Sequence, residues 1–201
     1  MSDISIMALV SGDGTNLQAL LDAEQKGVFR KISLVVSDRS GAYALERATK
    51  AGKYALVIGP DKRLPTDIRR QEHSGRILAL AKAYRINLIV MAGFLSILTG
   101  EIIQRYSGRI INLHPALLPK FGGEGMYGEH VHRAVLDAGE KESGCTVHLV
   151  DAGTDTGPIL LQRKVQVLSD DTPDTLAARI HAQEHIAIVE AVKMLAEQLG
   201  N

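Results

Sequence analysis

The sequence predicts an α/β fold, in which a mostly parallel, twisted, Rossmann-like sheet of about seven strands carries helices on both faces. Short apolar runs alternate with amphipathic stretches along the whole chain, which is typical of repeated βαβ units. Residues 87–91 form a continuous apolar run, as expected for a strand that helices cover on both sides. No internal repeat or linker divides the chain. We therefore expect a single domain over residues 1–201.

Each predicted element follows from a local pattern. Strands are expected where β-branched and aliphatic residues cluster, at residues 4–10, 32–36, 54–58, 87–91, 110–113, 145–150 and 159–167. Helices are expected where apolar residues recur at helical spacing, at residues 15–25, 43–50, 66–84, 131–136 and 172–199. Gly52 ends the second helix, and Thr172 followed by Pro173 begins the last one. Because ligands bind beyond the carboxyl ends of parallel strands, residues 12–16, 93–98 and 112–119 should face one site.

Composition excludes several classes of partner. The 201 residues carry 23 basic and 23 acidic side chains, so no overall field attracts nucleic acid or an anionic membrane, and any anion needs a local site. Aromatic residues make up 4%, with no Trp, which leaves little for a base-stacking surface. The single cysteine excludes a disulfide scaffold and favours a reducing compartment. With no long apolar run or secretory signal, we expect a cytoplasmic protein.

A glycine turn offers the local anion site. Residues 12–16, Gly-Asp-Gly-Thr-Asn, follow a predicted strand and open a helix, where free backbone N–H groups and the helix dipole can hold a phosphate. A dinucleotide fingerprint needs glycine at position 17, which is Leu17, and the Walker A lysine is absent. A phosphate monoester therefore fits better than either, and a tight turn without a ligand is the alternative.

Three polar residues form a candidate catalytic group. Asn112 and His114 alternate along one strand, so their side chains share a face. An amide and an imidazolium can together stabilise an oxyanion, and an imidazole can carry a proton near neutral pH. Asp155 lies in a turn after the sixth strand, and a carboxylate near an imidazole would raise its pKa. Hydrogen bonding of a strand-end histidine and capping of a turn by aspartate are the structural alternatives.

The last helix carries a pattern that resembles a zinc-protease motif. His181, Glu184 and His185 match H-x-x-E-H, and histidines four residues apart on a helix can share a metal. Few residues remain downstream to supply another ligand, so we expect no metal. His181 and Glu184 can instead face a substrate amine or hydroxyl.

Two further features have ordinary explanations. Residues 121–128 contain four glycines, which predicts a mobile segment beside the site that is either a lid or a surface loop. Cys145 is expected to be a buried strand residue rather than a nucleophile, since nothing near it in the sequence lowers a thiol pKa.

Several motifs together carry a resemblance to a known family. They are Ser11-Gly-x-Gly-Thr-Asn16-Leu-Gln18, Met91-Ala-Gly-Phe94, Ile111-Asn-Leu-His-Pro115-Ala-Leu-Leu-Pro119, Gly144-Cys-Thr-Val-His148 and Asp155-Thr-Gly-Pro158. In this order they make the chain resemble the phosphoribosylglycinamide formyltransferases, folate-dependent enzymes of purine synthesis, over nearly its whole length. The resemblance implies the formyltransferase fold and transfer of a formyl group from 10-formyltetrahydrofolate, without a metal, to the amine of 5-phosphoribosylglycinamide (GAR).

The resemblance also implies roles for individual residues. It implies catalysis by Asn112, His114 and Asp155. Residues implied to bind GAR are Gly14, Thr15, Asn16, His181 and Glu184. Residues implied to bind folate are Arg70, Leu95, Ser96, Ile97, Leu98, Asn112, Asp151, Ala152, Gly153, Thr154 and Asp155. The partners implied are small molecules, with neither nucleic acid nor membrane, and a homodimer is left open.

Alternative functions stay open at this point. Methionyl-tRNA formyltransferase and formyltetrahydrofolate deformylase share a similar scaffold but carry further domains, for which we expect 201 residues to leave no room. Hydrolysis of 10-formyltetrahydrofolate without an acceptor is one alternative. A module that binds a phosphate ligand without chemistry is the other.

Overall fold

A computed structural model describes residues 4–200, which form seven strands and six helices. The strands are β1 (Ser5–Val10), β2 (Lys31–Ser37), β3 (Ala55–Val57), β4 (Leu88–Met91), β5 (Ile110–His114), β6 (Glu142–Leu149) and β7 (Ile159–Gln166). The helices are α1 (Thr15–Gln25), α2 (Tyr43–Lys50), α3 (Thr66–Ala83), α4 (Glu101–Arg105), α5 (Glu129–Asp137) and α6 (Pro173–Gly200). Every predicted element is present with small shifts at its ends. The sequence missed α4, because five residues are too few to show a helical period.

The strands form one sheet in the order β3-β2-β1-β4-β5-β6-β7. The pairs from β3 to β5 are parallel, whereas β5–β6 and β6–β7 are antiparallel. The predicted α/β class with a mostly parallel seven-stranded sheet is therefore confirmed. No helix within residues 4–200 is both long enough and apolar enough to cross a membrane.

Each face of the sheet has its own apolar core. Along β1, Ile6 and Ala8 point into a cluster with α1, α2 and α6, whereas Met7 and Leu9 point into a second cluster with α3 and α4. This alternation is the two-residue period of a strand. Because both clusters are buried, a shift of β1 by one residue would exchange the two cores, and the register of the central strands is fixed by packing.

The strand order places the crevice where ligands bind in such sheets. β1 lies between β2 and β4, so the chain leaves β1 toward one side of the sheet and returns on the other. Connections that diverge in this way leave a gap beyond the carboxyl ends of the two strands. The turn after β1 and the loop after β4 border that gap, as the sequence predicts.

The only cysteine of the chain, Cys145, packs inside the first of these cores. It lies on β6 with no exposed surface. Burial raises the pKa of its thiol to about 12. The prediction of a buried, unreactive strand residue is confirmed for its burial, and the raised pKa gives the physical reason for low reactivity.

Helix α6 begins as its sequence predicts. Thr172 Oγ1 accepts the backbone N–H of Thr175 at 3.3 Å, and Pro173 occupies the first helical position. Asp171 holds the same end by accepting two hydrogen bonds of 2.8 Å from Arg179. These bonds fix the start of α6. The start in turn determines which side of the helix faces the crevice.

Candidate active site

A cavity of about 860 Å³ occupies the crevice. Its walls come from the turn after β1, the loop after β4, the end of β5, residues 123–129 and one side of α6. It contains all the residues predicted for the site except Asp151 and Ala152. Beyond β5 the lining reaches only Pro115, because the following residue, Ala116, lies in the interior.

The turn after β1 has the backbone geometry that a phosphate site requires. Gly14 is the N-cap of α1 with φ +73°, no side chain among residues 4–200 caps this end, and the first turn contains no acidic residue. The first N–H groups of a helix have no intrahelical acceptor and point outward along the axis. A Cβ on Gly14 would lie 2.5 Å from the Cβ of Ala44. Glycine is therefore required here by backbone conformation and by the approach of α2.

Asn16 connects this turn to α6. Its Nδ2 donates to Glu184 Oε2 at 3.2 Å, while its buried Oδ1 has no partner within the described part of the chain. The same Glu184 oxygen lies 2.7 Å from His181 Nδ1. Burial opposes ionisation of Glu184, but the bonds from His181 and Asn16 outweigh it and hold the pKa of Glu184 below its ordinary value. A buried anion thus faces the cavity beside the anion-binding turn.

His181 belongs to a polar cluster with Glu184 and His132. Its bond to Glu184 raises the pKa of His181. His132 packs its ring 6.5 Å from that of His181 and has a buried Nδ1 that no described residue contacts by a hydrogen bond. Within residues 4–200, no three His, Cys, Asp or Glu side chains are grouped so that they could hold a metal ion. The pair with Glu184 is thus the contact that the structure gives to His181.

Asp155 is the centre of the candidate catalytic group. Its Oδ2 lies 3.5 Å from His114 Nδ1 and accepts the N–H of Gly123 at 3.0 Å. Its Oδ1 lies 3.5 Å from His148 Nε2 and 3.4 Å from Asn112 Nδ2. The residue itself has φ +58°, a conformation that non-glycine residues seldom adopt. The fold therefore brings together the three residues that the sequence left apart.

The charge states in this group differ from the sequence expectation. Burial lowers the pKa of His114, and the opposing effects of Asp155 and the Phe121 carbonyl are too small to reverse the shift. Burial also opposes ionisation of Asp155, but contacts with His148, Gly123 and His114 together hold the pKa of Asp155 below its ordinary value. Asp155 raises the pKa of His114 as expected, but burial outweighs this effect, so the net shift is downward.

One hydrogen bond sets the tautomer of His114. Nε2 lies 2.8 Å from the carbonyl oxygen of Phe121, and since a carbonyl only accepts, Nε2 carries the proton. In the neutral ring Nδ1 is then the free base, and it faces Asp155. A proton that arrives on Nδ1 meets a carboxylate that can hold the new charge.

The opposite end of the cavity carries a cation. The Arg70 side chain, 27% exposed, pairs with Glu124 from the glycine-rich segment, whose side chain is 68% exposed. Arg70 can bind a carboxylate of a ligand bidentately, and Glu124 occupies that place in this structure. Residues 123–129 line the cavity, so this segment lies beside the site as predicted, and its role as a lid or a surface loop stays a prediction.

The loop after β4 is tied to its neighbours by short bonds. The backbone N–H of Leu95 donates to Ser11 Oγ at 2.8 Å, and Ser96 Oγ donates to Asp38 Oδ2 at 2.7 Å. The Ser96 hydroxyl is therefore occupied by the protein itself. Ile97 and Leu98 complete the apolar side of this wall.

Asp151 has a structural role in the loop after β6. Its Oδ1 accepts the N–H of Gly153 at 3.0 Å and the hydroxyl of Thr156 at 2.7 Å. These bonds shape the loop so that Gly153, Thr154 and Asp155 reach the cavity, whereas Asp151 and Ala152 do not line it. The geometry therefore does not support the predicted folate contacts of Asp151 and Ala152.

Sequence reasoning missed two histidines of the site. His148 lies opposite Asn112 in the β5–β6 pairing, and its Nε2 is 3.2 Å from Asn112 Nδ2. His132 faces the cavity from α5. The signal for His148 was its place within a predicted strand of the sheet, because β6 is largely buried and a buried polar side chain needs a partner. His132 gave no such signal, because α5 is short and mostly polar.

Fold and site together define an α/β protein in which a glycine turn at a helix start and an Asn–His–Asp group line one cavity. The formyl transferase family model matches residues 4–192, so this chain belongs to the formyl transferase family. It is similar to the phosphoribosylglycinamide formyltransferase of Escherichia coli K12, with 35% identity over 90% of this chain and 82% of that protein. The resemblance seen in the motifs is thereby confirmed.

Other relatives support the same assignment. The trifunctional purine biosynthetic protein adenosine-3 of Drosophila melanogaster is 43% identical over 94% of this chain, which spans only 14% of that protein. The crystal structure of glycinamide ribonucleotide transformylase 1 from Symbiobacterium toebii has a TM-score of 0.88 and 40% identity, covering 97% of this chain and 88% of that one. A formyltetrahydrofolate deformylase from Pseudomonas syringae has a TM-score of 0.87 at 19% identity, covering 98% and 62%, and shows the fold alone.

Proposed function

We propose that this protein transfers the formyl group of 10-formyltetrahydrofolate to the amine of GAR, giving formyl-GAR and tetrahydrofolate in purine synthesis. The observation that carries the proposal is the continuous cavity of about 860 Å³, which joins a backbone anion site to the Asn112–His114–Asp155 group. Relatives named for this activity cover most of the chain.

The acceptor fits the end of the cavity at α1. Its phosphate would lie on the N–H groups of Gly14, Thr15 and Asn16, where the helix dipole favours an anion. Glu184 and His181 then face the middle of the substrate, since Asn16 joins them to the turn. An anchored phosphate and an acidic side chain nearby would orient the amine toward Asp155. Such positioning supplies much of the acceleration of a two-substrate reaction.

The donor fits the opposite end. The pterin would lie against the loop of residues 95–98, whose fixed position comes from the bonds of Leu95 and Ser96. Gly153 and Thr154 border the same space. A glutamate carboxylate of the folate would take the place of Glu124 on Arg70. The formyl group then lies between the two ends, beside Asn112.

The reaction is a direct transfer between two nitrogens. The amine nitrogen forms a bond to the formyl carbon, and Asn112 Nδ2 donates to the oxygen as negative charge develops there. The bond from the formyl carbon to the folate nitrogen then breaks, and that nitrogen takes up the proton that the amine loses. The amide of Asn112 lies 3.4 Å from Asp155 Oδ1, so the reacting carbon would stand close to the carboxylate.

In this reaction His114 acts first as a base. Its lowered pKa means that the neutral ring predominates near neutral pH, with Nδ1 free. Asp155 passes the amine proton to Nδ1, and the positive charge of the resulting imidazolium favours the oxyanion through space until the proton returns through Asp155 to the leaving nitrogen. The positive charge of His114 is therefore formed during the reaction and held by Asp155, instead of being present at the start.

One spectrophotometric assay tests the proposal against its alternatives. Consumption of 10-formyltetrahydrofolate is followed with and without GAR. Turnover that requires GAR is the expected result. Turnover without GAR would instead identify a hydrolase, and tight binding of GAR without any turnover would identify a binding module.

A further inference from the structure

We propose that Arg47, on α2 outside the cavity, is a positioning residue that orients the phosphate-binding turn. Its guanidinium holds the carbonyl of Asp13, and this fixes the direction of the Gly14 N–H. The inference rests on the proposed function for the identity of the phosphorylated substrate. It makes a separate claim about phosphate binding that needs no catalysis.

The contacts of Arg47 reach both sides of the turn. Nε donates to the Asp13 carbonyl oxygen at 2.8 Å, and Nη1 donates to Gln18 Oε1 at 3.2 Å. The guanidinium carbon lies 5.0 Å above the centre of the Tyr43 ring. The planar group is thus held by two hydrogen bonds and one aromatic face, which restricts it far more than a free surface arginine.

Peptide geometry turns these contacts into an effect on the ligand site. The carbonyl of one residue and the N–H of the next belong to one planar trans unit and point in opposite directions. A bond that draws the Asp13 carbonyl toward α2 therefore directs the Gly14 N–H away from α2. The backbone N–H of Ala44 holds the Gly12 carbonyl at 3.1 Å, which directs the Asp13 N–H in the same way. The N–H groups of Asp13 and Gly14 thereby both point away from α2.

The turn is unable to set this orientation by itself. Gly14 and Gly12 have no side chains to restrict them, and glycine adopts several backbone conformations at similar cost. No side chain of the described residues caps α1. The carbonyl contacts from α2, with the close approach of Ala44 to Gly14, supply the restriction that the turn lacks.

Charge gives Arg47 a second effect in the same direction. Asp13 is exposed, and its carboxylate would repel a phosphate dianion at short range. A guanidinium bonded to the backbone of the same residue opposes that repulsion. The loss of Arg47 should therefore weaken binding of the phosphate and leave the folate end unchanged.

The kinetic test uses Arg47→Gln with Lys50→Gln as its matched control. Lys50 lies on the same helix and 5.8 Å from the same ring, but it pairs with Glu46. We expect Arg47→Gln to raise the KM for GAR about tenfold, the scale of one hydrogen bond from a charged donor, with kcat and the folate KM nearly unchanged. Lys50→Gln should behave as wild type. An unchanged GAR KM in Arg47→Gln would overturn the inference.

A phosphate-free acceptor separates positioning from a general structural role. With the dephosphorylated ribonucleoside, wild type and Arg47→Gln should react equally, because the turn then has no ligand to hold. An equal loss with both acceptors would mean that Arg47 only supports the fold and would overturn the inference. Arg47→Lys keeps the charge but donates in a different geometry, so its KM for GAR should lie between those of wild type and Arg47→Gln.

A direct titration keeps the inference testable if the proposed function fails. Inorganic phosphate is added to isotopically labelled wild type and Arg47→Gln, and the amide signals of Gly14 and Thr15 are followed by NMR. We expect the Kd of the variant to be about tenfold higher. Equal Kd values, or no response in either protein, would overturn the inference whatever the outcome of the transfer assay.

Discussion

The two halves of the cavity are built in different ways. The end proposed for the phosphate offers backbone N–H groups from one continuous segment, residues 14–16, which α2 contacts from behind. The chemical end uses side chains from separate segments, with Asn112 and His114 on β5 and Asp155 in the loop after β6. The first depends on local backbone conformation. The second depends on how the whole sheet is assembled.

This difference predicts different responses to substitution. At the proposed phosphate end backbone groups would hold the ligand, so we expect damage there to require a change of backbone shape. At the chemical end each side chain has its own task, and removing one leaves the shape intact but the reaction slow. The four predictions that follow test this contrast, from the largest expected effect to the smallest.

Removing one catalytic side chain should give the largest effect. We expect Asn112→Ala and His114→Ala each to lower kcat by about a hundredfold to a thousandfold, the usual cost of losing an oxyanion donor or a proton carrier, with little change in the KM for GAR. Steady-state kinetics with both substrates measures this. His130→Ala is the matched control, since His130 is exposed and outside the cavity lining. Near-normal kcat in His114→Ala would contradict the assigned role.

Changing the backbone at the phosphate end should affect stability and GAR binding together. Gly14 and Gly27 both have φ +73°, but an added Cβ would meet Ala44 at 2.5 Å on Gly14 and would point into open space on Gly27. We expect Gly27→Ala to lower the free energy of unfolding by about 1 kcal/mol, and Gly14→Ala by about a further 1–3 kcal/mol through overpacking. Only Gly14→Ala should raise the GAR KM. Denaturant unfolding measures the loss of stability, and steady-state kinetics measures the GAR KM. Equal losses of stability in the two variants would refute the clash.

The pH dependence should report the charge state of His114. Its pKa lies below the ordinary value, and the neutral ring acts as base. We therefore expect kcat/KM to rise with pH through an apparent pKa below about 6.5 and to level off toward neutrality. In Asp155→Asn the carboxylate no longer favours the cation, so this limb of the residual activity should move to lower pH. A decline of wild-type kcat/KM as pH rises from about 6 to about 7 would contradict the assigned protonation state.

The smallest effect should come from the ion pair between Arg70 and Glu124 at the proposed folate end. Glu124 occupies Arg70, but its side chain is mostly exposed, and exposed ion pairs contribute about 0–1 kcal/mol. We expect Glu124→Gln to lower the folate KM by less than about fivefold, with the GAR KM unchanged. Glu129→Gln, in the same segment, is the control because Glu129 pairs with Arg133 instead. A rise in the folate KM would show that Glu124 assists binding.

The same contrast explains what could be predicted from sequence. The fold class and most helices and strands followed from periodicity. The glycine turn of residues 12–16 was recognisable because it lies in one continuous segment. Local patterns did not predict the meeting of Asp155 with His114, since it depends on β6 pairing antiparallel with β5, and only the resemblance to a family implied it. The effect of Asp155 on the His114 pKa was predicted, but the net direction was not, because burial is a property of the assembled core. Arg47 gave no signal, since its partner is a backbone carbonyl.

The burial of Cys145 has a practical consequence for studying this molecule. As the only cysteine of the chain, with its thiol enclosed and its pKa raised to about 12, it should resist alkylating reagents in the folded protein. A cysteine introduced at exposed Tyr127 would then be the sole site of attachment for a fluorophore. Wild type already provides the unlabelled background, so segment 123–129 could be watched as each substrate binds without first removing a native thiol.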